Sequence, residues 1–360
     1  MRTYVVEKEA ILHNLDVLVK KADTVPVWAV LKGNGYGLGV GPMAELGTMA
    51  GINRFAVTEI SEAETIRSLY PAAQILMLRP TRSREELTRM LELDIIATIG
   101  TAEDAAVLSS LALQRGVVAD AHVKIDTGMG RYGFLPTELD GILDVYRCYD
   151  NVAISGIYTH FHSAFGKDKT ITAQAEQFTT LLAALRESGI EPGVPHCCNS
   201  EAFLRRPDLA MGGVRLGSAI LGRVRAKSDL RRVGSCEVTV TELRWLEEGQ
   251  TTGYGAAWKA KRPTRVAILP VGWYHGFTVE FGNDIFRFRD CLRQALGAVK
   301  HMIFGKKLYV SIGGKKCPVL GHVGMLHTAV DVTKASVRVG DKALVEINPT
   351  QVRGMEIEYR

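Results

Sequence analysis

Short apolar runs alternate with stretches of helical periodicity from residue 26 to about residue 220. The apolar runs lie at residues 27–31, 54–58, 74–78, 94–99, 121–125, 152–159, 194–198 and 213–216. Amphipathic stretches lie between them at residues 61–69, 83–93, 101–114, 137–149 and 171–188, and Ser83 and Thr101 are favourable N-cap residues. Continuous apolar strands separated by helices predict parallel strands that are covered on both faces. Eight such units favour a (β/α)8 barrel, although an open doubly wound sheet gives a similar count.

The pattern changes after about residue 225, where helical periodicity fades and β-branched runs begin. These runs lie at residues 237–244, 265–271, 307–312, 317–323, 327–332 and 342–347, and glycine turns such as Gly313-Gly314 separate them. The sequence therefore predicts an α/β protein with a barrel domain over residues 1–225 and a mostly antiparallel β domain over residues 226–360. The chain begins with a strand-like segment and a helical pattern at 7–21, and residues 1–10 are expected to pair with the β domain.

Composition and charge narrow the class of protein. The chain has 360 residues, of which 46% are hydrophobic and 23% charged, so disorder, collagen and coiled coil are excluded. The net charge is +5, and apolar residues interrupt the densest basic stretches, 259–265 and 300–307, so a solvated surface is favoured over nucleic-acid binding. No targeting segment and no apolar run of about 18 residues is present, so we expect a cytoplasmic protein without a membrane partner.

The cysteine and histidine spacings give no metal signature. Six cysteines include no C-x-x-C pair, which favours free thiols and makes a structural zinc site unexpected. They are Cys148, Cys197, Cys198, Cys236, Cys291 and Cys317. The pair His160-x-His162 lacks a third ligand at matching spacing. We therefore predict no bound metal.

Polar residues cluster where the predicted barrel strands end, which is where barrels build their active sites. Lys32 follows the first strand and precedes a glycine run that lacks the G-x-G-x-x-G spacing of a dinucleotide site. The later strand ends carry Lys124, Asp126, Arg131, His160, Asn199, Ser200 and Arg215. A lysine in a glycine-lined pocket suits a Schiff base with an aldehyde cofactor, and barrels commonly bind phosphate at the position of Ser200 and Gly217. Together these residues point to pyridoxal 5'-phosphate.

Several ordered motifs carry a resemblance to a known family. They are Ala-Val-Leu-Lys-Gly-Asn-Gly-Tyr-Gly at 29–37, Val-Lys-Ile-Asp-Thr-Gly-Met-Gly-Arg at 123–131, Tyr-Thr-His-Phe at 158–161, His-Cys-Cys-Asn-Ser at 196–200, Val-Arg-Leu-Gly at 214–217 and Gly-Tyr-Gly-Ala at 253–256. Over nearly its whole length the sequence resembles the alanine racemase family, the fold-type III pyridoxal-phosphate enzymes. The resemblance implies an isomerase that interconverts the L- and D-forms of alanine, or of a related amino acid such as serine.

The resemblance also implies roles for individual residues. Lys32 would form the Schiff base and act as a base on one face of the cofactor, and Tyr254 from the other subunit of a head-to-tail homodimer would act on the opposite face. The implied cofactor-binding residues are Lys32, Tyr36, His160, Asn199, Ser200, Arg215 and Gly217. Arg131 and the backbone N–H of Met325 would bind the substrate carboxylate. Lys124 matches a lysine that is often carbamylated in the family.

The substrate side departs from the family pattern. The departures are Phe165, Trp273, His275, His322 and Leu326, and the C-terminal stretch is short and lacks a tyrosine that touches the phosphate in the family. Because these positions line the family's substrate entry, they predict a changed channel and an altered or broader amino-acid substrate. Neutral drift in an ordinary alanine racemase is the alternative hypothesis.

Two other functional classes share these residues. A decarboxylase or dehydratase on the same architecture is disfavoured, because Arg215 stands where a decarboxylase requires an acidic partner for the ring nitrogen. A pyridoxal-phosphate-binding protein without racemase activity is the second alternative. The β-rich segment after residue 225 argues against it, since its known representatives are barrels alone.

Overall fold

The chain divides into two compact units. The computed structural model describes residues 1–166, 168–279, 287–304 and 308–360. Residues Lys8–Val233 form one unit, here the barrel unit, and Met1–Glu7 together with Gly234–Arg360 form the other, here the β unit. The chain starts in the β unit with strand β1 (Arg2–Val6) and enters the barrel unit with helix α1 (Lys8–Ala22). The structure thus divides the chain somewhat later than position 225.

The barrel unit is a closed parallel barrel with strands at eight positions in the described residues. The strands are β2 (Val27–Val30), β3 (Arg54–Val57), β4 (Gln74–Met77), β5 (Ala97–Ile99), β6 (Ala119–Lys124), β7 (Val152–Tyr158), β8 (Val194–His196) with its continuation β9 (Cys198–Asn199), and β10 (Val214–Leu216). Neighbours pair in parallel, with β4 joined to β5 by a bridge between Leu76 and Ile96. Because β10 pairs with both β9 and β2, the sheet closes. The barrel prediction is confirmed, and the open sheet is excluded.

Beyond the first strand, the short segment α2 (Lys32–Tyr36) is a turn at the barrel mouth, and helices follow the later strands. These helices are α3 (Val40–Met49), α4 (Ile60–Leu69), α5 (Arg84–Glu92), α6 (Ala102–Arg115), α7 (Leu139–Arg147), α8 (Asp168–Glu187) and α9 (Ser200–Arg205). The five predicted amphipathic stretches correspond to α4 through α8. Both predicted N-caps are confirmed, since Ser83 accepts the N–H of Glu86 and Thr101 that of Asp104. Trp28, Val30 and other strand side chains pack in the barrel interior.

The β unit holds a mostly antiparallel sheet. Its strands in the described residues are β11 (Ser235–Thr239), β12 (Glu242–Leu246), β15 (Thr264–Leu269), β16 (Tyr309–Ile312), β17 (Lys315–Leu320), β18 (Thr328–Asp331), β19 (Lys342–Val345) and β20 (Glu356–Tyr359), with β13 (Thr251–Thr252) and β14 (Trp258–Lys259) as a separate hairpin. The order is β12-β15-β18-β17-β16-β19-β11-β1-β20. β1 pairs antiparallel with β11 and parallel with β20.

Two expectations about the β unit are wrong. The single strand predicted at 237–244 is two strands, because the chain leaves β19 at Thr239 and joins β15 at Glu242, in another part of the sheet. Helical periodicity also does not fade after residue 225. The unit contains α10 (Phe288–Phe304), whose apolar residues recur at helical spacing. The start of the predicted strand 307–312, at Lys307, lies outside the described residues.

Candidate active site

A left-handed turn presents Lys32 at the carboxyl end of β2. Gly33, Asn34 and Gly35 have φ values of 64°, 55° and 62°. Glycine adopts this conformation without steric cost, and asparagine tolerates it better than most residues. The glycine run after Lys32 is therefore a backbone requirement of the turn.

Glu62 fixes this turn to the neighbouring loop. Its Oε1 accepts the N–H of Asn34 at 2.8 Å, and its Oε2 accepts those of Thr58 at 3.0 Å and Glu59 at 3.1 Å. A buried carboxylate is stable when backbone donors satisfy it in this way. The sequence analysis missed Glu62, although its place as the fourth residue of the capping box that begins at Glu59 could have indicated it.

A cavity of about 430 Å³ opens at the carboxyl ends of the barrel strands. It collects the barrel-unit residues that the sequence analysis singled out for the cofactor and substrate, namely Lys32, Tyr36, Lys124, Arg131, His160, Asn199, Ser200, Arg215 and Gly217. Arg79 adds a further cation to the lining, whereas Glu201 is the one acidic residue among the described lining residues. The cavity therefore favours an anionic ligand.

Burial lowers the pKa of both lysines in the cavity. Burial, followed by the charge of Arg131, lowers the pKa of Lys32, and Glu62 partly opposes this. Burial, followed by the charges of Arg215 and Arg131, lowers the pKa of Lys124 to about 7. The Lys124 ammonium lies 4.4 Å from the ring centroid of Tyr158. Because a neutral amine is the nucleophilic form of lysine, both side chains are suited to attack a carbonyl carbon.

Arg215 is a buried cation with neutral partners. Its Nη1 donates to His196 Nδ1 at 2.6 Å and to the His196 carbonyl oxygen at 2.9 Å, and its Nη2 donates to the carbonyl oxygen of Thr159. Its guanidinium carbon lies 4.9 Å from the ring centroid of Tyr158. Burial lowers the pKa of Arg215, yet a guanidinium stays protonated in proteins. Among the described residues, the site thus holds a fixed positive charge with no carboxylate hydrogen-bonded to it.

A chain of imidazoles behind Arg215 orients it. His196 Nε2 lies 2.9 Å from His122 Nδ1, and the His196 ring stacks on Tyr158 at 5.0 Å. Burial, followed by the charge of Arg215, lowers the pKa of His122 to about 3 and that of His196 well below its usual range, so both rings are neutral. The sequence analysis assigned no role to either histidine, although the alternation of polar His122 with apolar neighbours inside a barrel strand was a usable signal.

Asp126 shapes the loop that carries Arg131. Its carboxylate accepts the N–H groups of Gly128 at 2.8 Å and Arg131 at 2.9 Å. Burial opposes ionisation, but the backbone donors hold the pKa of Asp126 below its usual range. Arg131 is consequently held at the cavity wall, with its own side chain exposed.

The phosphate side of the cavity fits the expected cofactor. A Cβ atom on Gly217 would overlap Tyr36 Oη and lie 2.7 Å from its Cζ, so glycine is required where the phenol approaches. Burial raises the pKa of Tyr36 to about 12, which keeps its hydroxyl a donor. Ser200 Oγ accepts the N–H groups of Gly217 at 3.0 Å and Ala219 at 3.2 Å, and Asn199 caps α9 by accepting the N–H of Ala202. A hydroxyl, a phenol and backbone N–H groups are a donor set suited to a phosphate.

Tyr254 and Met325 line a different cavity, within the β unit. This cavity has a volume of about 590 Å³ and includes His322, Leu326 and His327. Tyr254 is 78% exposed and follows Gly253, whose φ is 85°. A single chain therefore presents Lys32 and Tyr254 in two separate cavities, one in each unit.

The sequence departures occupy distinct environments. Phe165 is exposed and lines the barrel cavity, whereas His322 and Leu326 line the cavity of Tyr254. Trp273 is exposed on its short helix, and His275 is buried with its Nδ1 accepting the N–H of Gly272 at 3.1 Å. Three of the five departures thus line one or other of the two cavities, and His275 has a structural contact of its own.

Comparison with known proteins identifies the family to which this chain belongs. The models of the alanine racemase N-terminal and C-terminal domains match residues 6–224 and 233–355. The alanine racemase of Methanococcus maripaludis is 31% identical over 329 residues, which cover 89% of this chain and 81% of that protein. The alanine racemase of Desulforamulus reducens is 30% identical over 348 residues, which cover 94% and 87%. The crystal structure of the Streptomyces lavendulae alanine racemase shares the fold, with a TM-score of 0.86 at 21% identity over 100% of this chain and 97% of that one. The chain therefore belongs to the alanine racemase family.

Proposed function

We propose that this enzyme binds pyridoxal 5'-phosphate in the barrel cavity and racemises alanine or a related small amino acid such as serine. The observation that carries the proposal is the convergence, in one cation-lined cavity, of Lys32 with the donor set around Gly217. Both curated relatives described above are named alanine racemase, which supports alanine as the first substrate to test.

We assign the holding of the cofactor to particular side chains. Tyr36, Ser200 and the Gly217 backbone would hold its phosphate, Arg215 would face its ring nitrogen, and Lys32 would bond to its aldehyde carbon. His160, whose pKa burial and then Arg215 lower well below the usual range, would contact the ring in its neutral form. When bound, pyridoxal phosphate supplies an aldehyde for the amino group and a conjugated ring that delocalises charge from the α-carbon.

We assign the proton transfers to two residues, a lysine and a tyrosine. Racemisation needs one group to take the α-proton and another to return a proton on the opposite face. Lys32 Nζ, whose pKa is lowered by burial and by Arg131, is suited to take and return a proton on one face. Tyr254 of the partner subunit would serve the other face through its phenol, in a head-to-tail homodimer. Arg215 has no carboxylate partner in the described part of the chain, so its charge would disfavour protonation of the ring nitrogen and with it competing reactions.

The departures at the walls of the two cavities favour a second candidate, a racemase with a broader or altered substrate. Phe165 lines the barrel cavity, and His322 and Leu326 line the other cavity, so residues that depart from the family pattern stand in both linings. These positions therefore decide which amino acid is turned over fastest. A tenfold preference for alanine over serine, lysine and glutamate would reject this second candidate.

The test combines cofactor attachment with turnover. Borohydride reduction of the protein with its cofactor, followed by peptide mass analysis, should place the cofactor on Lys32, and Lys32→Ala should lose both the modification and the visible absorbance. In a separate assay, purified enzyme that has not been reduced should invert alanine, serine, lysine or glutamate. Attachment at Lys32 without inversion of any amino acid would contradict the racemase proposal, and attachment at another lysine would contradict the site.

A further inference from the structure

Helix α10 of the β unit has an apolar face that the described residues leave exposed. Among its residues 288–303, Asp290 is buried, Gly297 is half-buried and the others are exposed. Phe288 is 81% exposed, Leu296 62% and Met302 79%. Most of the stability of a protein helix comes from packing of its apolar face, and large apolar side chains exposed together mark an interaction surface.

The apolar side chains of α10 form one continuous stripe. At 3.6 residues per turn they occupy an arc of roughly 160°. The stripe consists of Phe288, Cys291, Leu292, Ala295, Leu296, Ala298, Val299, Met302 and Ile303. Arg289, Arg293 and Lys300 follow one another along one border of this arc. The interrupted basic stretch 300–307 was expected to be an ordinary solvated surface. It contributes Met302 and Ile303 to the stripe and Lys300 to its cationic border. Residues 305–307 of this stretch lie outside the described residues.

The charge pattern of α10 favours an anionic partner. Asp290 is the one acidic residue in the helix sequence, and it is already paired with Arg287 at 2.7 Å and Arg293 at 2.9 Å. The α10 helix of a second copy, packed against the stripe, would offer the border cations no unpaired carboxylate, because its single acidic residue is Asp290, whereas paired helices normally place opposite charges there. A surface rich in negative charge complements this border instead.

We propose that α10 docks on the surface of a membrane that contains anionic lipids. The stripe would enter the boundary between headgroups and acyl chains, and Arg289, Arg293 and Lys300 would contact the lipid phosphates. No helix in the described part of the chain is long and apolar enough to cross a membrane, so α10 would lie in the surface plane. This proposal differs from the expectation of no membrane partner, and it does not depend on the proposed substrate.

Vesicle binding by the full-length enzyme tests this proposal. The protein should sediment with vesicles of phosphatidylcholine and phosphatidylglycerol, and binding should weaken in high salt and with phosphatidylcholine alone. The triple variant R289Q/R293Q/K300Q should bind roughly a hundredfold more weakly, at about fivefold per cation. Leu296→Ser should weaken binding about tenfold. His301→Ser, a matched change on the polar side of the same helix, should bind like the wild type.

Three outcomes would overturn the proposal. The first is no sedimentation with anionic vesicles. The second is equal loss of binding in Leu296→Ser and His301→Ser, which would mean that the stripe does not contact lipid. The third is a larger assembly that is lost in Leu296→Ser and forms without vesicles, which would assign the stripe to a second copy. Visible absorbance of the bound cofactor in each variant reports that the barrel unit is folded, independently of α10.

Discussion

Lys124 is buried among cations, and this environment lowers its pKa strongly. With a pKa of about 7, roughly half of its side chain is neutral at neutral pH. The neutral amine is the form that reacts with carbon dioxide, and the resulting carbamate would offset the positive charge of Arg131, Arg215 and Lys32. The geometry thus supplies a reason for the modification that the family resemblance implies.

Carbamylation of Lys124 is directly measurable. Protein kept in carbon-13 bicarbonate should give a carbamate resonance that is absent in Lys124→Gln and retained in Lys169→Gln, a change at an exposed lysine. Because the folded-state pKa is lowered, the neutral amine is lost as the pH falls through about 7, and the resonance should fade there. A resonance that persists in Lys124→Gln would contradict this account.

A substitution at Gly217 tests the phosphate site by steric overlap, without a change of charge. In Gly217→Ala the new Cβ would overlap Tyr36, so affinity for pyridoxal phosphate should fall about tenfold or more. Gly213→Ala is the matched control, since its Cβ would lie 3.5 Å from the nearest atom, an ordinary contact. Fluorescence titration of the cofactor-free protein measures both. Equal affinity in the two variants would place the phosphate elsewhere.

At the scale of elements, the Lys32 turn depends on α4 through Glu62. Glu62→Ala would leave the N–H groups of Asn34, Thr58 and Glu59 without their acceptor, which should cost about 1–3 kcal/mol of stability. Glu64→Ala on the same helix removes a surface ion pair with Arg89 and should cost under about 1 kcal/mol. Thermal unfolding of the cofactor-free protein compares them, and a Glu62→Ala protein as stable as Glu64→Ala would contradict the role of Glu62.

Hydrophobic periodicity predicted the barrel well because its strands are buried and its helices are amphipathic. Both patterns are visible in the sequence itself. The β unit was harder to predict. The break between β11 and β12 depends on which strand each half pairs with, and strand pairing leaves no local trace at Val240 or Thr241. Helix α10 does have a local trace, but its apolar stripe was treated as part of a β-rich region.

Residues of the candidate site were likewise predictable where the sequence signal is local, and not where a role depends on contacts between distant parts of the chain. Lys32, Lys124 and Arg215 were predictable because each lies in or directly after a predicted barrel strand. His122 and His196 were given no role, since their contact joins residues far apart in the sequence and inside the barrel. The resemblance to a family supplied Tyr254, which strand ends alone would not indicate.

At the scale of the whole molecule, the central question is how Lys32 and Tyr254 serve one reaction. Each lies in a cavity of its own unit, and the proposed head-to-tail homodimer would let one subunit complete the other. In that arrangement a chain with a defective lysine still donates an intact tyrosine. The same chain with a defective tyrosine still donates an intact lysine.

Subunit complementation is the measurement that tests this claim most directly. Lys32→Ala and Tyr254→Phe should each be inactive in inverting the substrate. After the two are unfolded together and refolded with cofactor, random pairing should restore about a quarter of wild-type activity, because half of the dimers are mixed and each has one intact site. Wild-type enzyme refolded in the same way provides the reference. Continued inactivity of the mixture, with the cofactor absorbance of the Tyr254→Phe subunits intact, would contradict a site shared between subunits.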